Sequence, residues 1–600
     1  MRAWRDRFSW IDAACAALGV AALVYAIVGG DAFLDRSTAP NAIDTAFGVA
    51  LVALVLEAAR RTTGWIMPAV VLAFLAYAMA GPWLPAPWTH RGYDLGRLVG
   101  TMYMTLEGIF GTAVDVSSTL IILFTIYGAF LQHSGAGKFF LDFSFAALGG
   151  KPTGAGRTVV LSSFLLGGPS GSGVATTVTL GSVAYPLLAK AGYERNAAGG
   201  LLAAGGLGAI LSPPVLGAAA FLIAEFLKIS YLDVIRMAVL PTCLYYFSLF
   251  PMVEIDARKY GMRLVDVGRG PSAWALVRRQ GFHFVSLVAI VVFMLMGFSP
   301  IGAVFWAAMV AVATSFLDRD CALVDLRLLR DRPRGWLRAL VAESRLVKAL
   351  AAGSLGMINV GATCAAAGLI VGVVTLTGLG LKLSSIVIAY AGGSLLLTAI
   401  YTALIVWVVG LAVPVTASYI ICAVIAAPAL VTLGVPDFAA HMFIFYYAVL
   451  SEVSPPTALS PFAAAAITGG DPYRTTLQSW KYTLPAFVVP FMFVLDPIGV
   501  GLLLALPKGG GWLDVARIAF LALVVLVAFA GAAEGWLLRR TSVAERLLLV
   551  GAGALVLFAH AVRERFFADT AVGEGHLELA GIALLAIALA SQLARARRAA

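Results

Sequence analysis

Residues 165–225 read LLGGPSGSGVATTVTLGSVAYPLLAKAGYERNAAGGLLAAGGLGAILSPPVLGAAAFLIAE, an almost wholly apolar stretch that cannot be one unbroken helix. Two places interrupt it. One is Gly167-Gly168-Pro169-Ser170-Gly171-Ser172-Gly173, the other Ser212-Pro213-Pro214. Glycine-serine runs hold helix poorly, and tandem prolines remove two backbone donors. In hydrocarbon the freed N–H and C=O groups are costly unless protein, water or an ion satisfies them.

The pattern returns 242 residues further on. Gly410-Leu411-Ala412-Val413-Pro414-Val415-Thr416-Ala417-Ser418 takes the place of the first tip, and Ser454-Pro455-Pro456 that of the first proline pair. Gly192-Tyr193-Glu194 answers to Gly434-Val435-Pro436 at the same offset. With a slip of one, Ser134-Gly135-Ala136-Gly137 answers to Thr377-Gly378-Leu379-Gly380. Paired interrupted spans in two halves of a chain point to a secondary transporter's binding site.

Charge assigns the two copies opposite sides. Lys151, Arg157, Lys190 and Arg195 flank the first hairpin, whereas no Lys or Arg lies between Lys382 and Arg474 around the second. Cytoplasmic loops collect basic residues, so the first hairpin should open inward and the second, near 398–432, outward. The expected fold is therefore an all-α polytopic membrane protein: an inverted-repeat transporter with two re-entrant helical hairpins. Arg2, Arg5, Arg7 and Arg60-Arg61 place the N-terminus in the cytoplasm. Three spans are expected near 11–29, 43–59 and 64–81, three between the copies near 233–253, 281–298 and 301–317, and one near 480–505. Lys508-Gly509-Gly510-Gly511 reads as a linker, followed by spans near 515–533, 546–562 and 577–594. Residues 98–112 read as either a fourth span or an arm lying in the interface.

Composition agrees. Hydrophobic residues make up 61% and charged ones 12% of the chain, against roughly 25% charged in soluble domains. Mean hydropathy is +0.92. The net charge of +10 gathers at span ends, with no nucleic-acid motif. The five cysteines and six histidines show no metal spacing. No phosphate-binding loop, dinucleotide fingerprint or ordered Ser/His/Asp set is present, so the chain reads as a carrier rather than an enzyme. A channel or membrane scaffold subunit is the alternative from another class.

The tips offer hydroxyls at Ser170, Ser172, Thr176, Thr416 and Ser418, and carbonyls at Gly168, Gly171 and Val413. The breaks add Ser212, Pro213, Ser454 and Pro455. Oxygen ligands without a dense carboxylate cluster suit a monovalent hard cation, so one sodium site is expected where each tip meets its break. Ser172, Thr176, Thr416 and Ser418 are also candidate substrate contacts. The competing reading is that these hydroxyls bond the preceding helical turn. Glu225 and Glu452 are acids inside apolar segments, a placement common on ion or proton paths, and are candidate proton sites. Neither tip carries a cation, so an anionic solute would be held by hydroxyls and helix dipoles.

At these motifs the chain resembles the fused membrane subunit of TRAP transporters, of the TAXI type. The stretches carrying the resemblance are TLEGIFGTAVDVSSTLIILFTIYGAFLQHSGAG, PSGSGVATTVTLGSVAYPLLAKAGY, SPPVLGAAAFLIAEF, CAAAGLIVGVVTLTGLG and VPDFAAHMFIFYYAVLSEVSPPTALSPFAAAAITGGDP, within residues 105–500. The resemblance implies a sodium-coupled elevator carrier importing an organic acid anion across the bacterial inner membrane. It implies a separate periplasmic substrate-binding protein as partner. It divides the chain into small-subunit-like scaffold helices (1–112), a large-subunit-like core (113–506) and extra C-terminal helices (507–600). Within the core, repeat 1 covers about 117–256, linker spans 281–348 and repeat 2 about 349–506. This sequence departs from the family pattern at Thr176, Ala209, Ala412, Val415 and Glu452. Those departures make a proton, in place of sodium, the alternative coupling ion.

Overall fold

The computed structural model describes residues 10–265, 271–318, 321–324, 344–456, 458–506, 510–567 and 570–597, with backbone alone for Pro169, Ser170, Arg565, Ala596 and Arg597. Arg2, Arg5 and Arg7, most of the 318–348 loop and Lys508-Gly509 lie outside the described residues, whereas Arg60-Arg61 lie in the last turn of the helix Ala42–Thr63. The described chain is helical, its sole β feature an isolated bridge between Trp536 and Arg540. Among the described residues ten helices are long and apolar enough to cross a membrane, or eleven if the pair Ala273–Gln280 and Phe282–Leu295, bent by 67°, counts as one span.

The N-terminal group comprises Trp10–Asp35, Ala42–Thr63 and Ile66–Ala80. Asn41 caps the second of these through a capping box with Asp44, whose buried carboxylate also receives Tyr25 (2.7 Å) and Arg36 (3.0 Å). Residues 98–112 do not form a helix long enough to span a membrane. Leu95–Met104 is a ten-residue helix, about 15 Å long, with both faces buried from Leu98 to Met104. It packs on Ala42–Thr63 and on the turn Arg36–Thr38, where Gly100 lies directly on the Ser37 carbonyl.

The interruptions are shorter than composition suggests. The first hairpin is Gly154–Ser170 and Gly173–Ala191, so helix runs on through Gly167-Gly168 and breaks only at Gly171-Ser172. Gly171 takes φ +55°, a left-handed conformation that ends the first arm. The second hairpin is Leu395–Ala412 and Val415–Ile425, turning at Val413-Pro414 and continued by Ala427–Thr432. Each hairpin is followed by a broken helix: Arg195–Leu211 and Ala218–Leu227 in the first copy, Asp437–Leu450 and Leu459–Thr468 in the second. The closing helices are Tyr231–Tyr260 and Pro472–Leu495. The second begins earlier than the span near 480–505 because Asp471 caps it, accepting from Arg474 N.

The repeat holds bond by bond. Ser212 Oγ donates to Gly208 O (2.7 Å), and Ser454 Oγ to Leu450 O (2.8 Å). Leu216 N donates to Ser212 O (3.1 Å), and Ala458 N to Ser454 O (2.8 Å). Leu216 and Ala458 both take positive φ, and both Pro-Pro peptides are cis. All these pairs keep the 242-residue offset. The copies also interlock: Leu459–Thr468 packs on the first hairpin and on Arg195–Leu211, and Ala218–Leu227 packs on the second hairpin and on Asp437–Leu450.

Small residues allow that approach. A Cβ on Gly206 would run into Thr177 Oγ1 and the Gly173 carbonyl. Arg195–Leu211 is buried on every face from Ala197 to Leu211, as expected of a helix enclosed by others. Beyond the core, Trp512–Glu534, Val543–Leu557, Ala559–Phe566 and Glu574–Arg597 form a C-terminal group.

Candidate functional site

Each hairpin tip lies on the break of its own copy. At Gly171 a Cβ would come within 2.6 Å of the Leu216 carbonyl oxygen, and at Gly167 within 2.6 Å of the Ala209 Cα. Gly168 faces Pro214 and the Pro213 carbonyl. In the second copy a Cβ on Gly410 would meet Ser451 Cβ at 2.5 Å and Ser418 Oγ at 3.3 Å. The structure thus brings Gly171 and Gly168 onto the first break at Leu216 and Pro213, and Gly410 onto the second at Ser451, while Ser418 faces its own hairpin.

The candidate hydroxyls differ in what they do. Ser212 and Ser454 turn back on their own helices, which is the competing reading set out above. Ser454 Oγ also receives Trp407 Nε1 at 2.8 Å. Ser172 caps the second arm of the first hairpin, accepting from Ala175 N at 3.4 Å. Ser418 lies 3.4 Å from the Val406 carbonyl. Thr176 is 2% exposed, and its hydroxyl finds no hydrogen-bond partner among the described residues. Thr416 is half-buried beside the second tip. The side chain of Ser170 is outside the described residues.

The freed carbonyls are less available than the sequence suggests. Tyr231 donates to Pro214 O (3.1 Å) and Val215 O (2.5 Å), Thr242 to Leu211 O (2.6 Å), and Gly217 N to Ile210 O (2.9 Å). In the second break, Trp480 Nε1 donates to Val453 O (2.8 Å). Protein donors therefore satisfy part of each break. Tyr231 and Thr242 gave no sequence signal, since they lie on the next helix. Trp407 and Trp480 could have been noticed as tryptophans well inside spans rather than at an interface, where that side chain collects.

The two acids separate clearly. Glu225 sits toward the end of its helix, 39% exposed on its side chain and ion-paired to Lys228. Glu452 lies in the second break, yet its carboxylate reaches the first hairpin. A Cβ on Gly173 would be 2.8 Å from Glu452 Oε1, and the carboxylate receives Ser460 Oγ (3.0 Å) and the Val174 backbone N–H. No Lys, Arg or His is paired with it among the described residues. No cluster of three or more His, Cys, Asp or Glu that could hold a metal occurs among the described residues.

Residues 50–501 match the family model described as "Tripartite ATP-independent periplasmic transporter, DctM component". The 2,3-diketo-L-gulonate TRAP transporter large permease protein YiaN of Escherichia coli (strain K12) is 32% identical over 120 residues, 20% of this chain and 28% of that protein. The C4-dicarboxylate TRAP transporter large permease protein DctM of Rhodobacter capsulatus is 25% identical over 220 residues, 34% and 50% of the two chains. The corresponding protein of Pseudomonas aeruginosa is 30% identical over 106 residues, 18% and 25%. The aligned portions thus span a quarter to a half of these relatives' lengths. All three are transporter permeases rather than enzymes.

Proposed function

The chain belongs to the DctM component family of tripartite ATP-independent periplasmic transporters, and from that premise we propose that it imports an organic acid anion by sodium-coupled secondary transport. A periplasmic substrate-binding protein, in this reading of TAXI type, delivers the solute. The N-terminal helices act as a fused small subunit, in the bacterial inner membrane, with the N-terminus in the cytoplasm. The carboxylated solutes named for the relatives, 2,3-diketo-L-gulonate and C4-dicarboxylates, support an organic acid as the substrate class.

The observation that carries the reading is the meeting of each tip with its own break, together with the unpartnered hydroxyl of Thr176. A buried hydroxyl left without a bond is costly, and a bound cation or solute carboxylate would satisfy it. Ser172, Thr176 and the Gly171 and Leu216 carbonyls are the groups that would hold sodium in the first copy. Thr416, Ser418 and the Val413 carbonyl take that place in the second. The two hairpins open to opposite faces, and the body carrying them moves against the N-terminal helices in an elevator motion.

A second reading, proton coupling, is favoured by Glu452: a carboxylate between two repeats, hydrogen-bonded but without a cation paired to it among the described residues. Proteoliposomes with the cognate binding protein separate the two. Uptake driven by an inward sodium gradient at equal pH supports sodium. Uptake driven by a pH gradient in sodium-free buffer, and lost in Glu452→Gln, replaces it with the proton. Flux that never accumulates solute against its gradient would make the chain a channel.

A further inference from the structure

The C-terminal helices lie beyond the matched region, and their placement is informative. Trp512–Glu534 packs on Tyr231–Tyr260 and Pro472–Leu495, the closing helices of both copies. Those two in turn pack on the first hairpin and the broken helices. The N-terminal spans Ala42–Thr63 and Ile66–Ala80 pack on Arg345–Thr377, the opening helix of the second copy, which itself packs on Val415–Ile425 of the second hairpin. The two groups share no substantial packing with one another among the described residues.

The C-terminal group is tied to the closing helices of both copies by buried charge. Glu534, its side chain fully buried, meets Lys481 Nζ at 2.6 Å and Lys259 Nζ at 3.1 Å. Lys481 also meets the buried Asp256 at 3.1 Å. One carboxylate from the appended helix thus joins lysines from both copies. Arg236 adds a bond to Leu504 O (3.0 Å) in the connection that leads to the group. His560, Ala561 and Glu564 line a crevice of about 1250 Å³ together with Gly392, Gly434 and Val435, at the base of the second hairpin. The group therefore extends from the closing helices of both copies to a crevice at the base of the second hairpin.

We infer that the C-terminal helices are part of the moving body, carried with the hairpins by the Glu534–Lys481–Lys259 clamp, and that only the N-terminal side of the molecule forms the static frame. A buried charge with matched partners tolerates no sliding, because any shift leaves an ion unpaired away from water. Apolar helix faces in lipid exchange neighbours far more cheaply, since lipid tails are as apolar as leucine. An ionic clamp is what a helix needs if it must stay registered during a large motion.

The inference rests on the elevator reading, and the test keeps the two apart. Spin labels go on the full-length chain, cleared of its native cysteines, in nanodiscs. The label positions are Val49 of the N-terminal group, Val183 of the first hairpin and Phe520 of the appended helix, all exposed. Distances are recorded with and without the driving ion. The expected result is a 183–520 distance with one population, while 49–183 and 49–520 each show two. Two populations for 49–183 but one for 49–520 would overturn the inference and leave the elevator standing. One population for every pair would overturn both. Glu534→Ala should broaden 183–520 while 49–183 keeps its two populations. An unchanged 183–520 distribution in that variant would remove the clamp.

Discussion

The carboxylate of Glu452, carried by the second copy, lies on Gly173 of the first, where an added Cβ would come within 2.8 Å of Oε1. The second break and the first hairpin therefore compete for one small volume. Gly173→Val should cost about 1–3 kcal/mol by overpacking. Glu452→Ala in the same chain should recover much of that loss by clearing the space. Thermal unfolding in detergent reads both, and a double variant no better than Gly173→Val would show that the two side chains do not share the site.

Thr176 separates stability from transport. Its hydroxyl is buried and unbonded, so Thr176→Val should leave stability unchanged or raise it by up to about 1–3 kcal/mol. If the hydroxyl meets the coupling ion, the same change should raise the half-saturating ion concentration several-fold, while Thr176→Ser should not. Equal uptake in both variants would take Thr176 out of the site.

Why the repeat was legible and the site only partly so follows from the residues. Proline and glycine announce themselves: Ser212-Pro213-Pro214 and Ser454-Pro455-Pro456 have to interrupt a helix wherever they occur, and one offset ties them together. Hydroxyls carry no such signature. Ser212 and Thr176 look alike in sequence, yet one bonds its own turn and the other is left unpartnered. That difference depends on what arrives from other helices: the Tyr246 hydroxyl lies 3.4 Å from Ser212 Oγ, and no described polar group reaches the Thr176 hydroxyl. The two acids were likewise indistinguishable by hydropathy. Only packing shows Glu225 paired with Lys228 near solvent and Glu452 enclosed between copies. The segment 98–112 was hard to read because its helix, Leu95–Met104, is too short to span yet buried from Leu98 to Met104.

Trp407 holds the second break through its indole N–H on Ser454, beside Trp480 with ring centroids 5.9 Å apart. Trp407→Phe keeps an aromatic ring but removes the donor. A loss of about 0.5–1.5 kcal/mol is expected, the usual net value of one hydrogen bond. The corresponding change at Trp480 frees the Val453 carbonyl and should cost about as much. The two tryptophans touch, so their effects should not add. Unfolding midpoints of both single variants and the double variant give the coupling, and strict additivity would mean that each indole holds the break alone.

The buried ions should respond unequally, in an order set by charge counting. Lys481 serves both Asp256 and Glu534, and Tyr482 also donates to Asp256. Lys481→Met therefore leaves two buried carboxylates, with only Lys259 and one phenol to answer them. Breaking a buried pair from one side costs about 3–5 kcal/mol. Glu534→Gln leaves the Lys481–Asp256 pair intact, and Lys259, 28% exposed on its side chain, can turn to water. Its cost should be the smaller of the two. Adding Glu534→Gln to Lys481→Met removes one of the stranded charges, so the double variant should be more stable than Lys481→Met alone. Unfolding in detergent at neutral pH measures the series. A double variant less stable than either single one would mean that Glu534 is held by something other than the lysine, and the ion pairs would no longer explain how the C-terminal helices are attached.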